Sequence, residues 1–405
     1  MKYYIIAGEA SGDLHGSNLI KGLKNNDPEC EIRCWGGDLM QAAGGELVRH
    51  YKESAIMGFW EVIRNFPKIF KNIRTCQDDI IQWKPDLVIL IDYPGFNFKI
   101  AQFAHNHGFK VFYYIAPKIW AWKENRGKLL QKYVDRLFVI FPFEIPYFKN
   151  KWNTDVIYKG NPLLDSINRY QYINEGKNEF CERVNCLGGK YDKKLDPSDK
   201  FIALVAGSRK GEISYLFPRM LGVMEKFPEY KFLLAAAPSI QDSYYENIFS
   251  KYLAKSNMSA QCKAIIKSNL YILHNETYSI MKHSDAAIIN SGTASLEAAI
   301  IGVPQVVCYG GNEISYQIAK MLVKGVKYIS LANIILDKLI FKELIQHDCN
   351  VQTISCEVDR LLRDRIYTEK MKSDYARLRE SLGSDGASEA VANAIVEQYK
   401  YLTEK

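Results

Sequence analysis

Short apolar runs, each stopping at a glycine, proline or small polar residue, alternate along this chain with segments of helical length. They cover residues 3–7, 87–91, 110–115, 136–141 and 155–158, then 201–206, 232–236, 270–273, 286–289 and 305–309. A run that is apolar on both faces is the pattern of a strand inside a parallel sheet covered by helices on either side. Such alternation points to α/β doubly wound units. The 405 residues leave room for two to three domains. Two Rossmann-like domains are expected: residues 1–173, and residues 201–363. Between them, 174–200 is poor in apolar residues, carries Gly188-Gly189, and reads as a linker or solvated insertion. Residues 364–405 are helical throughout and read as a tail.

Several function classes fall away early. The nine cysteines form no CxxC pair and the seven histidines no HExxH, so no metal site is expected and the thiols read as reduced. Met1-Lys2 leads straight into a strand-like run, so no signal peptide is expected. The longest low-charge stretch, 286–312, is interrupted by Ser291, Gly292, Glu297 and Pro304 and cannot span a bilayer. A net charge of +7 suits an anionic partner but is diffuse for a nucleic-acid binder.

In open α/β sheets ligands bind beyond the carboxyl ends of the strands, so chemistry is sought there. The first strand runs into Gly8-Glu9-Ala10-Ser11-Gly12-Asp13. This is not GxGxxG, and the acidic Glu9 and Asp13 favour sugar hydroxyls over a pyrophosphate; a tight turn with Asp13 solvated is the plainer alternative. Asp92 arrives as the second run ends, in Asp92-Tyr93-Pro94-Gly95. A carboxylate held there is either a general base of raised pKa or an Asx cap of the next turn. After the third run, Trp120-Ala121-Trp122-Lys123 and Arg126 either pack the core or line an acceptor carrying apolar tails and a phosphate.

In the second half, Gly207-Ser208-Arg209 and Asn290-Ser291-Gly292-Thr293 each end a strand and open a helix. Both place backbone N–H groups where an anion binds, and Arg209 adds a bidentate grip. Glu297, about a turn further on, can accept bonds from ribose hydroxyls. Together they suggest a nucleoside diphosphate. A separate signal lies at 55–74, where Met57, Phe59, Trp60, Ile63, Phe66 and Phe70 share a short span with Arg64, Lys68 and Lys71. A basic amphipathic segment rich in Trp and Phe either rests in a membrane interface or packs its apolar stripe on the sheet. Pro67 divides it into two short helices.

Taken in order, Gly8-Glu9-Ala10-Ser11-Gly12-Asp13, Met57-Gly58, Ile91-Asp92-Tyr93-Pro94, Trp120-Ala121-Trp122, Gly207-Ser208-Arg209, Ser291-Gly292-Thr293-Ala294-Ser295-Leu296-Glu297 and Tyr328-Ile329-Ser330-Leu331-Ala332-Asn333 make the whole chain resemble the lipid-A-disaccharide synthases. These are bacterial glycosyltransferases of GT-B architecture, two Rossmann-like domains facing a central cleft. The resemblance implies an inverting condensation of UDP-2,3-diacylglucosamine with 2,3-diacylglucosamine 1-phosphate (lipid X), giving a β-1,6-linked disaccharide 1-phosphate and UDP. It implies no cofactor and no metal, a cytoplasmic protein peripheral on the inner membrane's lipid surface, and a possible homodimer. The helical tail is expected to pack back on an N-terminal domain.

On that reading Asp92 is the base. Ser208, Arg209, Ser291, Gly292, Thr293, Glu297 and Asn333 hold the UDP donor, while Glu9, Ser11, Asp13, Trp120, Lys123 and Arg126 bind or position the acceptor. The chain departs from the family pattern at Gly95, Ala206, Asn161 and Ala332. Gly95 removes an alternative base, and Asn161 argues against a histidine-dependent mechanism. Rival readings are another GT-B enzyme (a peptidoglycan-precursor N-acetylglucosaminyltransferase or a UDP-sugar 2-epimerase) and a non-catalytic nucleotide binder, which leaves Asp92 and Glu297 unexplained.

Overall fold

The computed structural model describes residues 1–54, 66–121, 123–186, 194–311 and 327–404. The chain forms two compact units, Met1–Ser166 with Leu382–Lys405, and Ile167–Ser381. The first is built on a seven-stranded sheet of β1 (Lys2–Ala7), β2 (Glu31–Gly36), β3 (Glu46–His50), β4 (Leu87–Ile91), β5 (Lys110–Tyr114), β6 (Arg136–Val139) and β7 (Ile157–Tyr158). Its order is β3-β2-β1-β4-β5-β6-β7, and every pairing is parallel. The second holds β8 (Lys200–Val205), β9 (Tyr230–Ala236), β10 (Leu270–His274), β11 (Ala286–Asn290), β12 (Gln305–Tyr309) and β13 (Glu343–Ile345), ordered β10-β9-β8-β11-β12-β13 and again wholly parallel. In each sheet the order reverses beside the first strand, the switch point at whose carboxyl-end side open α/β sheets bind their ligands.

The central strands are buried along nearly their whole length, as their unbroken apolar character requires. Tyr4, Ile6, Val88 and Leu90 pack with Ile73, Cys76 and Ile80 of helix Phe66–Trp83, whose apolar positions recur at three and four residues. Each such aliphatic side chain contributes about 1.5–3 kcal/mol by leaving water. Tyr4 is admitted because its hydroxyl donates to Asp79 at 2.6 Å and accepts from the Trp35 indole at 2.9 Å.

The second unit extends further than expected at both ends. Residues 174–200 are not merely a linker: Phe180, Cys181 and Val184 of helix Lys177–Cys186 lie in the core with Phe201, Ala203 and Val205. Arg183 pairs with Glu175 and Glu276, fixing this stretch to the sheet's helices. Helix Arg365–Ser381 belongs to the same unit, burying Met371, Tyr375 and Leu378, with Tyr375 accepting from Gln305 at 3.2 Å and Asp374 pairing with Lys338. The tail that rejoins the first unit therefore begins at Leu382, not near 364. There, helix Ala387–Thr403 lies so close to helix Ala10–Asn26 that a Cβ on Gly22 would come within 2.8 Å of the Ala392 methyl.

Candidate functional site

In the first unit the ends of β1, β4 and β5 gather the acidic and basic groups. Asp92 and Tyr93 both adopt left-handed backbone (φ 42° and 48°), as do Ile115 (φ 59°) and Lys123 (φ 56°). This conformation is costly for residues with a side chain, most of all a β-branched isoleucine, and its concentration at one rim marks a place where geometry outranks relaxation. Asp92 is locked through its main chain: its carbonyl accepts from Asn97 Nδ2 at 2.8 Å and from the Tyr113 hydroxyl at 2.6 Å, and its N–H donates to the Tyr114 carbonyl at 3.2 Å. Burial pushes its carboxyl above the usual range; the nearby Lys118 and the Tyr93 N–H pull it down, while Glu9 pushes it up. A proton acceptor is thus held at a raised affinity beside a cation.

The turn after β1 is shaped by that loop. A Cβ on Gly8 would stand 2.3 Å from the Tyr93 ring, so only glycine lets the two strand ends meet. Glu9 and Ser11, at the start of helix Ala10–Asn26, are exposed. Asp13 is not. It is 3% exposed, and its carboxylate accepts from the N–H groups of Gly37 (2.7 Å), Met40 (3.0 Å) and Leu39 (3.1 Å). This is a correction to its place among the acceptor-binding residues: Asp13 is consumed in holding the start of helix Asp38–Ala42.

Trp120 is turned to the interior by Glu144, whose Oε1 accepts its indole N–H at 3.1 Å, while Phe143 meets the ring edge-on. Glu144 also accepts from the N–H groups of Phe141 and Ile140 through Oε2. Burial outweighs these bonds and pushes its carboxyl up to about 7. Lys123 is exposed, whereas Arg126 is half-buried over the Phe98 ring. Met57, Phe59, Trp60, Ile63 and Arg64 lie outside the described residues, and Phe66 and Lys68 are described in their backbone alone. Phe70 is 49% exposed and Lys71 exposed beside it.

In the second unit, Gly207 has φ +106°, a conformation suited to glycine, and a Cβ there would meet Glu212 and Asn290. The N–H groups of Ser208 and Arg209 point to Glu212 Oε2 at 3.0 and 3.3 Å, and the Arg209 guanidinium, 63% exposed, lies 3.7 Å from the other oxygen. After β11, Ser291 is half-buried and Gly292 and Thr293 are exposed at the start of helix Thr293–Ile301, with open space at the Gly292 Cα. Glu297 is half-buried and accepts from the Tyr278 hydroxyl at 2.9 Å; burial raises its carboxyl's pKa and that bond lowers it, leaving a net rise.

Asn333 departs from its expected role. It is 0% exposed, donating to the Phe341 carbonyl and Glu343 and accepting from the Ile340 N–H. Its amide ties a loop together and offers nothing to a donor. Sequence reasoning also passed over Glu144 and Tyr278, which look like ordinary helix residues, and it gave Lys118, a cation just past a strand end, no role beside Asp92. Among the described residues no group of three His, Cys, Asp or Glu is placed to hold a metal.

Comparison with known proteins follows the same line. The family model described as lipid-A-disaccharide synthetase matches residues 3–396. A lipid-A-disaccharide synthase of Geobacter metallireducens is 37% identical over 97% of this chain and 96% of its own length. A crystal structure of the UDP-GlcNAc 2-epimerase from Neisseria meningitidis bound to UDP-GlcNAc superposes over 100% of both chains, with a TM-score of 0.65 at 15% identity. The glycosyltransferase of kitacinnamycin covers 98% of both chains with a TM-score of 0.60 at 14% identity. At such identities the last two speak for the fold, two parallel Rossmann-like sheets of GT-B type.

Proposed function

The chain belongs to the lipid-A-disaccharide synthase family and is a glycosyltransferase of lipid A synthesis, and from that premise we propose that it joins UDP-2,3-diacylglucosamine to 2,3-diacylglucosamine 1-phosphate with inversion. Asp92 takes the proton of the acceptor's 6-hydroxyl as that oxygen bonds to the anomeric carbon. The bond from that carbon to the diphosphate breaks, and UDP leaves with the electron pair. Its growing charge is met by the Arg209 guanidinium and by the N–H groups opening the helix after β11, since the N–H groups of Ser208 and Arg209 are taken by Glu212. Glu297 accepts from the ribose. Glu9, Ser11, Lys123 and Arg126 face or flank the acceptor, and its phosphate pairs with the cations of the 118–126 loop.

The observation that carries this reading is Asp92: main chain locked by three bonds in a left-handed turn, carboxyl raised, Lys118 beside it. The closest physical parallel is an inverting glycosidase in which a sugar hydroxyl replaces water. Incubating the protein with both diacyl sugars and weighing the product tests the reaction; absence of the disaccharide 1-phosphate sinks it. In that assay Asp92→Asn retains UDP binding and loses most turnover.

Acyl-bearing substrates call for a lipid surface. No helix among the described residues is long and apolar enough to cross a membrane. Residues 55–74, with Phe70 and Lys71 exposed at their described end, support interfacial binding at an anionic bilayer. Changing Trp60, Ile63 and Phe66 to serine releases the protein from anionic vesicles; undiminished sedimentation with them refutes the surface role.

A further inference from the structure

Glu297 is a half-buried carboxylate with no cation paired to it among the described residues. Its protein partner there is the Tyr278 hydroxyl, which donates to Oε1 at 2.9 Å. The other oxygen makes no bond to a described residue. A carboxylate withdrawn from water without a counter-charge works against folding, and groups kept at such expense concentrate at functional sites.

Tyr278 is itself held in place. It stands in helix Thr277–His283, directly after β10, and the Tyr170 ring meets it edge-on at 5.4 Å and 80°. Tyr170 is anchored in turn, its hydroxyl within 3.0 Å of Ser279 Oγ and 3.3 Å of Glu276 Oε2. Arg183 binds Glu276 as well. The phenol that touches Glu297 is thus fixed by a chain of contacts independent of any ligand, the arrangement expected of a support that fixes a binding group in advance.

We propose that Tyr278 is a positioning residue of the donor site, its hydroxyl occupying one oxygen of Glu297 and turning the other toward a ribose hydroxyl of the bound nucleoside diphosphate. This rests on the donor reading given above. The ligand feature recognised is the sugar's hydroxyl pair, so the residue governs discrimination between ribose and its deoxy forms rather than affinity for the diphosphate.

Calorimetric titration of the intact protein with UDP and with 2′,3′-dideoxy-UDP reads this directly. The unaltered protein favours UDP by about tenfold or more, the scale of a hydrogen bond to a charged group. In Tyr278→Phe that preference falls at least about fivefold, through weaker UDP binding, while dideoxy-UDP affinity changes less than about twofold. Phenylalanine keeps the ring on which Tyr170 packs, and an unchanged melting temperature checks that the fold is intact. Glu297→Gln loses the preference too, and the double variant is no worse than either single one, as coupled residues require. Tyr170→Phe, which keeps the ring against Tyr278 and removes only the hydroxyl bonds to Ser279 and Glu276, lowers the preference less than Tyr278→Phe does.

A Tyr278→Phe protein that retains the full preference overturns the proposal, as does one that loses both nucleotides equally, since that is a structural effect. Additive losses in the double variant overturn it as well. If the unaltered protein binds neither nucleotide, the donor reading itself falls and takes this one with it. If it binds both equally, the donor reading stands and only the ribose contact is refuted.

Discussion

Asp92 works against the fold that holds it. Its left-handed backbone is strained, and burial makes its ionised form the less favoured one. Because the folded-state pKa is raised, the native chain binds more protons than the unfolded chain between the ordinary carboxylate value and the raised one. Stability therefore falls as pH rises through that window and stays lower above it. Asp92→Asn removes the penalty. The expected result at pH 8 is a melting temperature equal to or above the parent's, with turnover lower by about 10²–10⁴. A clear drop in melting temperature with turnover intact points to a structural aspartate instead. The same raised affinity sets the acid limb of kcat/KM above the usual carboxylate range, and Asp92→Asn abolishes that limb.

Glu144 carries the same sign with a stated position, its carboxyl pushed up to about 7. Its contribution to stability is present at low pH and is lost as pH rises from about 4.5 toward 7. Melting temperature measured across that interval is expected to decline, and the decline to flatten in Glu144→Gln. Glutamine keeps the size but brings an amide donor toward three N–H donors, so the variant is less stable than the parent at every pH tested.

Elements explain which residues could be read in advance. Buried central strands were legible because short runs apolar on both faces, stopped by turn residues and alternating with helical segments, fit strands of a covered parallel sheet. The edge-side strands β2 (Glu31–Gly36) and β3 (Glu46–His50) were not: Glu31, Arg33, Glu46 and Arg49 interrupt them, since one face or one end meets water. Strand β13 is three residues long and too short for any periodicity to show. The site was half legible for a related reason. Strand ends attract polar residues both for ligands and for capping, and sequence cannot separate the two. Asp92 and Asp13 both follow a strand near a glycine, yet Asp13 spends its carboxylate on three backbone N–H groups. Removing it by Asp13→Ala is expected to cost about 1–3 kcal/mol for the orphaned donors, visible as a lower denaturant midpoint, with UDP affinity unchanged. Gly8→Ala separates the other way. A methyl 2.3 Å from the Tyr93 ring must push the loop that carries Asp92, so turnover falls by more than UDP affinity does.

At the scale of the molecule the chain makes one excursion: it builds the first unit, completes the second as a single stretch from Ile167 to Ser381, and returns to finish the first. The return is fastened by Asp165, 2% exposed, which accepts from the N–H groups of Gly386 and Ser388 at 2.7 Å each and so caps helix Ala387–Thr403. That helix buries Val391, Ile395 and Val396 against its own unit. Two hydrophobic cores with separate supports predict two calorimetric transitions, and the proposed roles assign them. UDP at about 100 times its Kd adds roughly 2.7 kcal/mol to whatever binds it, and should raise the second unit's transition while leaving the first unit's in place. Asp165→Asn, which strips a charged acceptor from two N–H donors, that of Ser388 buried and that of Gly386 half-buried, should lower the first unit's transition by an amount matching about 1–3 kcal/mol and leave the UDP shift unaltered. A single transition that UDP and Asp165→Asn both move shows the units unfolding as one, and ligand stabilisation then ceases to identify which of them holds the nucleotide.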